Sequence, residues 1–181
     1  FEQPQYRAEV QRFMDFIGEP GPVVLEIGFD HGRRLLGLAR DTPEQRFVGL
    51  EIREQRVLEL QAKAPDNLLA WRADARTVLR LIAPRGRFER IDILFPTPWW
   101  HGGRRAKRLL LTEAFMPDLA RALAPGGAAY VATDVAPYFE HVRSLFAGWT
   151  PCAAPTARVP SRRESTCARE GIGVFSGAWR A

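Results

Sequence analysis

Cysteine is scarce in this chain: Cys152 and Cys167 are the two in 181 residues. Two are too few for a disulfide framework, and with the three histidines they make no metal-ligand spacing. No metal site is expected, and a reducing, cytoplasmic setting is favoured. Long apolar runs are also missing, so no segment reaches the roughly 20 residues that a membrane-spanning helix needs. No secretory pattern opens the chain, and it starts at Phe1 where a methionine would stand, so residues ahead of it are expected. There is no internal repeat, linker or low-complexity stretch. A single domain over residues 1–181 is expected, with a leading helix and breaker (1–22), a core (23–150) and a C-terminal section (151–181). Acid is outnumbered, 21 Asp and Glu against 26 Lys and Arg, and the formal charge of +5 favours an anionic partner.

What is present is an alternation of strand-like and helix-like segments. Tyr6 to Ile17 has Val10, Phe13, Met14 and Ile17 at helical spacing, and residues 18–22 break it with two glycines and two prolines. Val23 to Ile27 reads as a buried strand, Gly28 to Gly32 as a turn, and Arg33 to Arg40 as a helix. Strands follow at Phe47 to Glu51, Leu68 to Ala73, Ile91 to Phe95 and Ala128 to Thr133. The intervening helices are expected at Glu54 to Ala64, Thr77 to Ile82, Thr112 to Leu123 and Tyr138 to Trp149. Two extended pieces, near Ala157–Val159 and Val174–Trp179, suit an antiparallel hairpin. Strands alternating with helices imply βαβ units around a parallel sheet.

In an open α/β sheet, ligands bind beyond the carboxyl ends of the strands, where strand order reverses. The expected strand ends are polar: Glu26 with Gly28, Glu51, Asp74, Thr97 and Asp134. Any one acid is more often a solvated strand end, but Glu26, Glu51 and Asp74 close three successive strands. An acid at the end of the second strand is placed to accept hydrogen bonds from both hydroxyls of a ribose. The turn lacks the Gly-x-Gly-x-x-Gly spacing that lays a pyrophosphate on a helix N-terminus, having Asp30 and His31 between Gly28 and Gly32. Negative charge there repels a phosphate and suits a sulfonium or an ammonium group. A nucleoside cofactor without phosphate fits, and S-adenosylmethionine is the candidate.

The stretch from Arg90 to Arg108 is the most distinctive. An apolar strand runs into Pro96 and Pro98, which stop it because proline donates no backbone hydrogen bond. Trp99, Trp100 and His101 follow, then two glycines, then Arg104, Arg105, Lys107 and Arg108. Aromatic rings stack on bases and cations pair with phosphates, so the order suits a splayed-out nucleotide of an RNA. The blander reading is a solvated surface loop with at least one tryptophan, Trp99 by preference, packed in the core.

These pieces together resemble the bacterial tRNA (guanine-N7)-methyltransferases. The resemblance rests on Leu25-Glu-Ile-Gly28, Phe47-Val-Gly-Leu-Glu51, Phe95-Pro-x-Pro-Trp99, Lys107-Arg108, Leu123-x-Pro-Gly-Gly127 and Ala132-Thr-Asp134-x-x-x-Tyr138, in the family's order and spacing. It implies a Rossmann-like class I S-adenosylmethionine-dependent methyltransferase. Such a fold has a mostly parallel seven-stranded sheet, helices on both faces and a C-terminal antiparallel hairpin. It implies cofactor contacts from Glu26, Gly28, Glu51, Asp74 and Thr97, with Thr97 at the catalytic position, and substrate contacts from His101, Asp134, Thr166 and Arg169. The basic run Arg104–Arg108 would hold tRNA or another structured RNA, and the enzyme would act as a monomer or homodimer.

The chain departs from the family in places. Thr97 stands where an aspartate is usual between the prolines, and His101 replaces a lysine. Asp30 replaces a glycine. The family's C-terminal Thr-x-Phe-Glu clasp resembles Thr166-Cys-Ala-Arg169 here, with the aromatic and the acid gone. Losing a carboxylate at 97 forfeits a charge-assisted hydrogen bond of about 1.5–3 kcal/mol, roughly ten- to hundredfold in rate. Two alternatives follow: a divergent methyltransferase acting on another RNA or a small molecule, and a catalytically impaired RNA-binding paralogue.

Overall fold

The computed structural model describes residues 4–96, 109–155 and 159–181. One sheet organises them, in the order β3-β2-β1-β4-β5-β7-β6. Its strands are β1 (Val23–Ile27), β2 (Arg46–Glu51), β3 (Leu68–Arg72), β4 (Phe88–Leu94), β5 (Leu123–Thr133), β6 (Thr150–Cys152) and β7 (Phe175–Arg180). The first five pair in parallel, and β7 runs against both β5 and β6. The chain winds outward from β1 through β2 to β3, then returns to the other side of β1 for β4 and β5. The strand order therefore reverses between β1 and β4.

β1 is buried along its whole length, Glu26 included, because both of its faces are covered. Alternate side chains point to opposite faces: Val24 packs with Phe47, Leu35 and Leu60, while Leu25 and Ile27 pack with Phe13, Ile93 and Val131. Helices α2 (Arg33–Asp41) and α3 (Glu54–Gln61) cover the first face through Leu35, Ala39, Val57 and Leu60. The other face is covered by α1 (Pro4–Gly18), α4 (Ala75–Thr77), α5 (Met116–Ala122) and α6 (Ala136–Leu145), through residues such as Phe13, Ala75, Leu119 and Tyr138. The seven-stranded, mostly parallel architecture expected from the sequence is thus present.

Its details differ in three places. α4 passes at Val78 into a π-helical turn ending at Ile82, and α5 is led in by a 3₁₀ turn at Glu113–Phe115. The antiparallel pair at the C-terminus joins β7 to Thr150–Cys152, and Val159 lies in a bend outside any strand. Between β6 and β7 runs α7 (Arg162–Glu170), so the two strands are not a simple hairpin. α7 starts at a capping box, Ser161 accepting from the Glu164 backbone while Glu164 accepts from that of Ser161, and ends at Gly171 with φ 66°. Among the described residues no helix is long and apolar enough to cross a membrane.

Candidate active site at the strand ends

The reversal of strand order opens the sheet's carboxyl edge beside β1, and the turn after β1 shapes it. Gly28 (φ 75°) and Gly32 (φ 66°) take the left-handed conformation that glycine adopts without a Cβ penalty. Asp30 does so as well, at φ 51°. Its backbone N–H points to Glu51 Oε2 at 3.3 Å, and its carboxylate meets Arg53 at 2.9 Å and Arg56 at 3.6 Å. The charge on Asp30 is therefore shared with two arginines, and the turn is less negative than its sequence suggests.

Glu51, at the end of β2, is 5% exposed and held from several sides. Oε1 accepts from the backbone N–H of Ile52 at 2.9 Å and of Arg53 at 3.1 Å, and the Arg53 guanidinium reaches both oxygens at 3.1 Å. Asp74, just past β3, caps α4 by accepting from Arg76 N at 2.8 Å. Between these two ends lies a cavity of about 320 Å³ lined by Tyr6, Ile52, Arg72, Ala73, Asp74 and Thr77. Ile52 is 69% exposed, an unusual state for an isoleucine next to a buried acid.

Glu26 sits deeper. It is 2% exposed, and its Oε2 accepts from Arg34 Nη1 at 2.9 Å. The same nitrogen donates to Asp92 Oδ2 at 2.7 Å, and Arg90 Nε reaches the other Asp92 oxygen at 2.7 Å. Burial works against charge on Arg34, but Asp92 and Glu26 together overcome it and hold the guanidinium firmly protonated. One cation thus serves two carboxylates, and Asp92 has the shorter contact and a second partner. Glu26 is left under-compensated: burial pushes its carboxyl up to about 7, Arg34 opposes, and the charges of Asp92 and Glu164 add to the rise.

α7 closes the site from the other end of the chain. Arg163 Nε donates to Asp134 Oδ2 at 3.0 Å, and Arg163 Nη2 reaches the same oxygen. Arg162 approaches the His31 ring at 2.6 Å, and Arg56 approaches its other nitrogen at 2.9 Å. Val159 fits over Gly37 of α2, where an added Cβ would come within 2.7 Å of its side chain. Thr166 is half-buried on α7, and Arg169 is exposed beside Glu170 at 3.5 Å. Arg169 makes no ion pair with the strand-end acids among the described residues.

Phe95, at the mouth of the proline loop, adopts φ 47° immediately before Pro96. For an aromatic residue this is a strained conformation, costing on the order of 1–3 kcal/mol. Its N–H donates to Ala132 O at 2.7 Å, fixing the loop entrance against β5. Thr97, Trp99, Trp100, His101, Arg104, Arg105, Lys107 and Arg108 lie outside the described residues.

The structure thus brings Gly28, Glu51, Asp74 and Asp134 to one edge, with Glu26 beneath. The sequence reading missed Arg34, Asp92, Ile52, Arg53, Ser161 and Glu164. A lone acid inside the apolar run of β4 and an arginine on the apolar side of α2 were signals of a buried pair.

Residues 20–163 match a family model described as a putative methyltransferase. The tRNA (guanine-N(7)-)-methyltransferase of Cronobacter sakazakii is 33% identical over 185 residues, covering 97% of this chain and 77% of the relative. Its namesake in Methylococcus capsulatus is 32% identical, covering 90% and 76%. The chain belongs to the tRNA (guanine-N7)-methyltransferase family. Solved methyltransferases share the fold at lower identity: an antibiotic-related methyltransferase has a TM-score of 0.67 at 15% identity, covering 95% of this chain and 94% of the other. The 16S rRNA methyltransferase KamB has a TM-score of 0.64 at 18% identity, covering 93% and 92%. In this methyltransferase fold, the carboxyl edge beside β1 is the place where a ligand is expected.

Proposed function

We propose that the chain is a cytoplasmic, single-domain enzyme that transfers a methyl group from S-adenosylmethionine to N7 of a guanine in tRNA. The observation that carries this reading is the match to relatives named for that reaction along 97% and 90% of this chain.

The strand-end residues fit the cofactor. Glu51 offers a fixed carboxylate to the ribose hydroxyls, and Arg53, whose side chain is 53% exposed, has room to yield one of its contacts. The cavity beyond Glu51 suits a flat purine, with Ile52 and Ala73 as apolar walls and Asp74 and Thr77 at its polar end. Gly28 allows the methionyl part to approach the backbone, with Glu26 and Arg34 forming the floor. When bound, S-adenosylmethionine supplies an electrophilic methyl group on a sulfonium.

The target atom sets what else the chain must do. Guanine N7 carries an in-plane lone pair and no proton, so no general base is required. The protein's contribution is to hold the base in line at a near-attack distance of about 3 Å. Asp134 is the acid for the guanine. Ser161 and Glu164 have the hydroxyl-to-acid spacing of the family's Thr-x-Phe-Glu, and they form the capping box that starts α7, whose arginines reach Asp134 and His31. The clasp is therefore assigned to Ser161 and Glu164 in preference to Thr166 and Arg169. By the family resemblance Thr97 is assigned the catalytic role, His101 a substrate contact, and Arg104, Arg105, Lys107 and Arg108 the contacts to RNA phosphates.

The test is incubation with methyl-labelled S-adenosylmethionine and bulk tRNA, followed by nucleoside digestion. Label in 7-methylguanosine is expected. Label confined to another nucleoside, or none, would overturn the reading.

A further inference from the structure

Among the described residues, the hydrogen-bond partner of the Asp134 carboxylate is Arg163, which places two N–H donors on Oδ2. The donors, Nε and Nη2, are attached to one carbon and point the same way. Guanine presents the same fragment: N1–H and the exocyclic N2–H are bonded to a single carbon and lie side by side. That edge of the base is opposite N7, so a carboxylate gripping it leaves N7 facing the other way. Adenine offers an acceptor at N1 and a donor at N6, and cannot replace a pair of donors.

We propose that Arg163 is a specificity-determining residue that occupies Asp134 as an intramolecular mimic of the guanine edge, to be displaced by the target base. The inference rests on the guanine-N7 reading above and deepens it. Displacement is feasible because the pair is at the surface: the Arg163 side chain is 45% exposed and that of Asp134 is 15% exposed. Exposed ion pairs contribute little to stability, so the competition costs an incoming guanine about two- to fivefold in affinity. A base without two adjacent donors gains nothing at Asp134 that would offset the lost guanidinium contact. The released arginine is then free to meet the phosphate beside the target nucleotide.

The experiment measures dissociation constants of guanosine and adenosine by NMR titration, with the full chain saturated in S-adenosylhomocysteine to fill the cofactor's own nucleoside pocket. Neutral nucleosides remove any phosphate attraction to the arginine. Arg163→Ala is expected to bind guanosine about two- to fivefold more tightly than wild type and adenosine unchanged. In an Asp134→Asn background the same substitution is expected to have no effect on guanosine. Arg163→Lys, which keeps the charge but loses the fork, should move toward Arg163→Ala. Equal tightening for both nucleosides would show simple unblocking and overturn the mimicry. Weaker guanosine binding by Arg163→Ala would show that the arginine only fixes α7, and would overturn it too. If wild type forms 7-methylguanosine in tRNA while guanosine affinity ignores position 163, this inference fails and the functional reading stands. If neither protein binds guanosine and none is methylated, both fail.

Discussion

Replacing Arg34 with leucine tests the buried charge cluster under the site. In the native chain one Arg34 nitrogen lies 2.9 Å from Glu26 and 2.7 Å from Asp92, and all three side chains are at most 3% exposed. Removing one partner of a buried ion pair costs about 3–5 kcal/mol, because the remaining charge is left without compensation. Asp92 keeps Arg90, so the burden falls on Glu26. Its carboxyl is already raised to about 7, first by burial, against about 4.3 in an unfolded chain. A carboxyl raised by folding lowers stability as pH climbs from the unfolded value through the folded one. Without Arg34 the folded value rises further, so the penalty of the substitution must grow with pH. Urea unfolding of wild type and Arg34→Leu at about pH 5.5 and about pH 8.5 reads this directly. At the higher pH the loss should reach about 3–5 kcal/mol, a fall in melting temperature of about 6–20 °C for a chain of this size. At the lower pH it should be smaller by about 1 kcal/mol or more. Adding Glu26→Gln should flatten the pH dependence. A penalty equal at both pH values, or below about 1 kcal/mol throughout, would refute the reasoning.

Three further outcomes are expected. Glu51→Ala should weaken S-adenosylhomocysteine binding in calorimetry by at least about 1.5 kcal/mol, the lower range for a hydrogen bond to a charged group; an unchanged affinity removes Glu51 from the pocket. Changing Arg104, Arg105, Lys107 and Arg108 together to alanine should lower tRNA affinity and flatten its salt dependence while sparing cofactor affinity; an unchanged slope makes the run a solvated face. Gly37→Ala should cost about 1–3 kcal/mol by driving its new methyl into Val159, with methyl transfer reduced; Val159→Ala in the same chain should restore both, and failure of that rescue would detach the Gly37 contact from the placing of α7.

The sheet was legible because its strands are short apolar runs between punctuating glycines and prolines, as at Val23–Ile27 and Phe47–Glu51. The strand-end acids followed from the same pattern. Long-range pairing was not legible: Arg34 and Asp92 are 58 residues apart, and no local period joins them. β6 is three residues with Pro151 at its centre, too short to show alternation. α7 carries a readable signature in Ser161-x-x-Glu164 and Gly171, a capping box and a left-handed glycine stop, although the extended pieces around it obscure a helix there. Asp30 was correctly placed in the turn, yet its charge could not be judged without Arg53 and Arg56.

β7 lies between β5 and β6 although it follows both in the chain. The order of assembly on the ribosome therefore differs from the order of the finished sheet. At about 5–20 residues per second, the acids at the ends of β1, β2 and β3 emerge early, before Asp92 of β4 can join Glu26 at Arg34. Until residues 175–180 follow, β5 has an open edge and β6 has no neighbour to pair with. An unfilled edge invites pairing with other chains, so the interval before β7 inserts is the period when a nascent molecule is most exposed to aggregation. Insertion of that one strand seals the edge of β5 and gives β6 its partner in the same event.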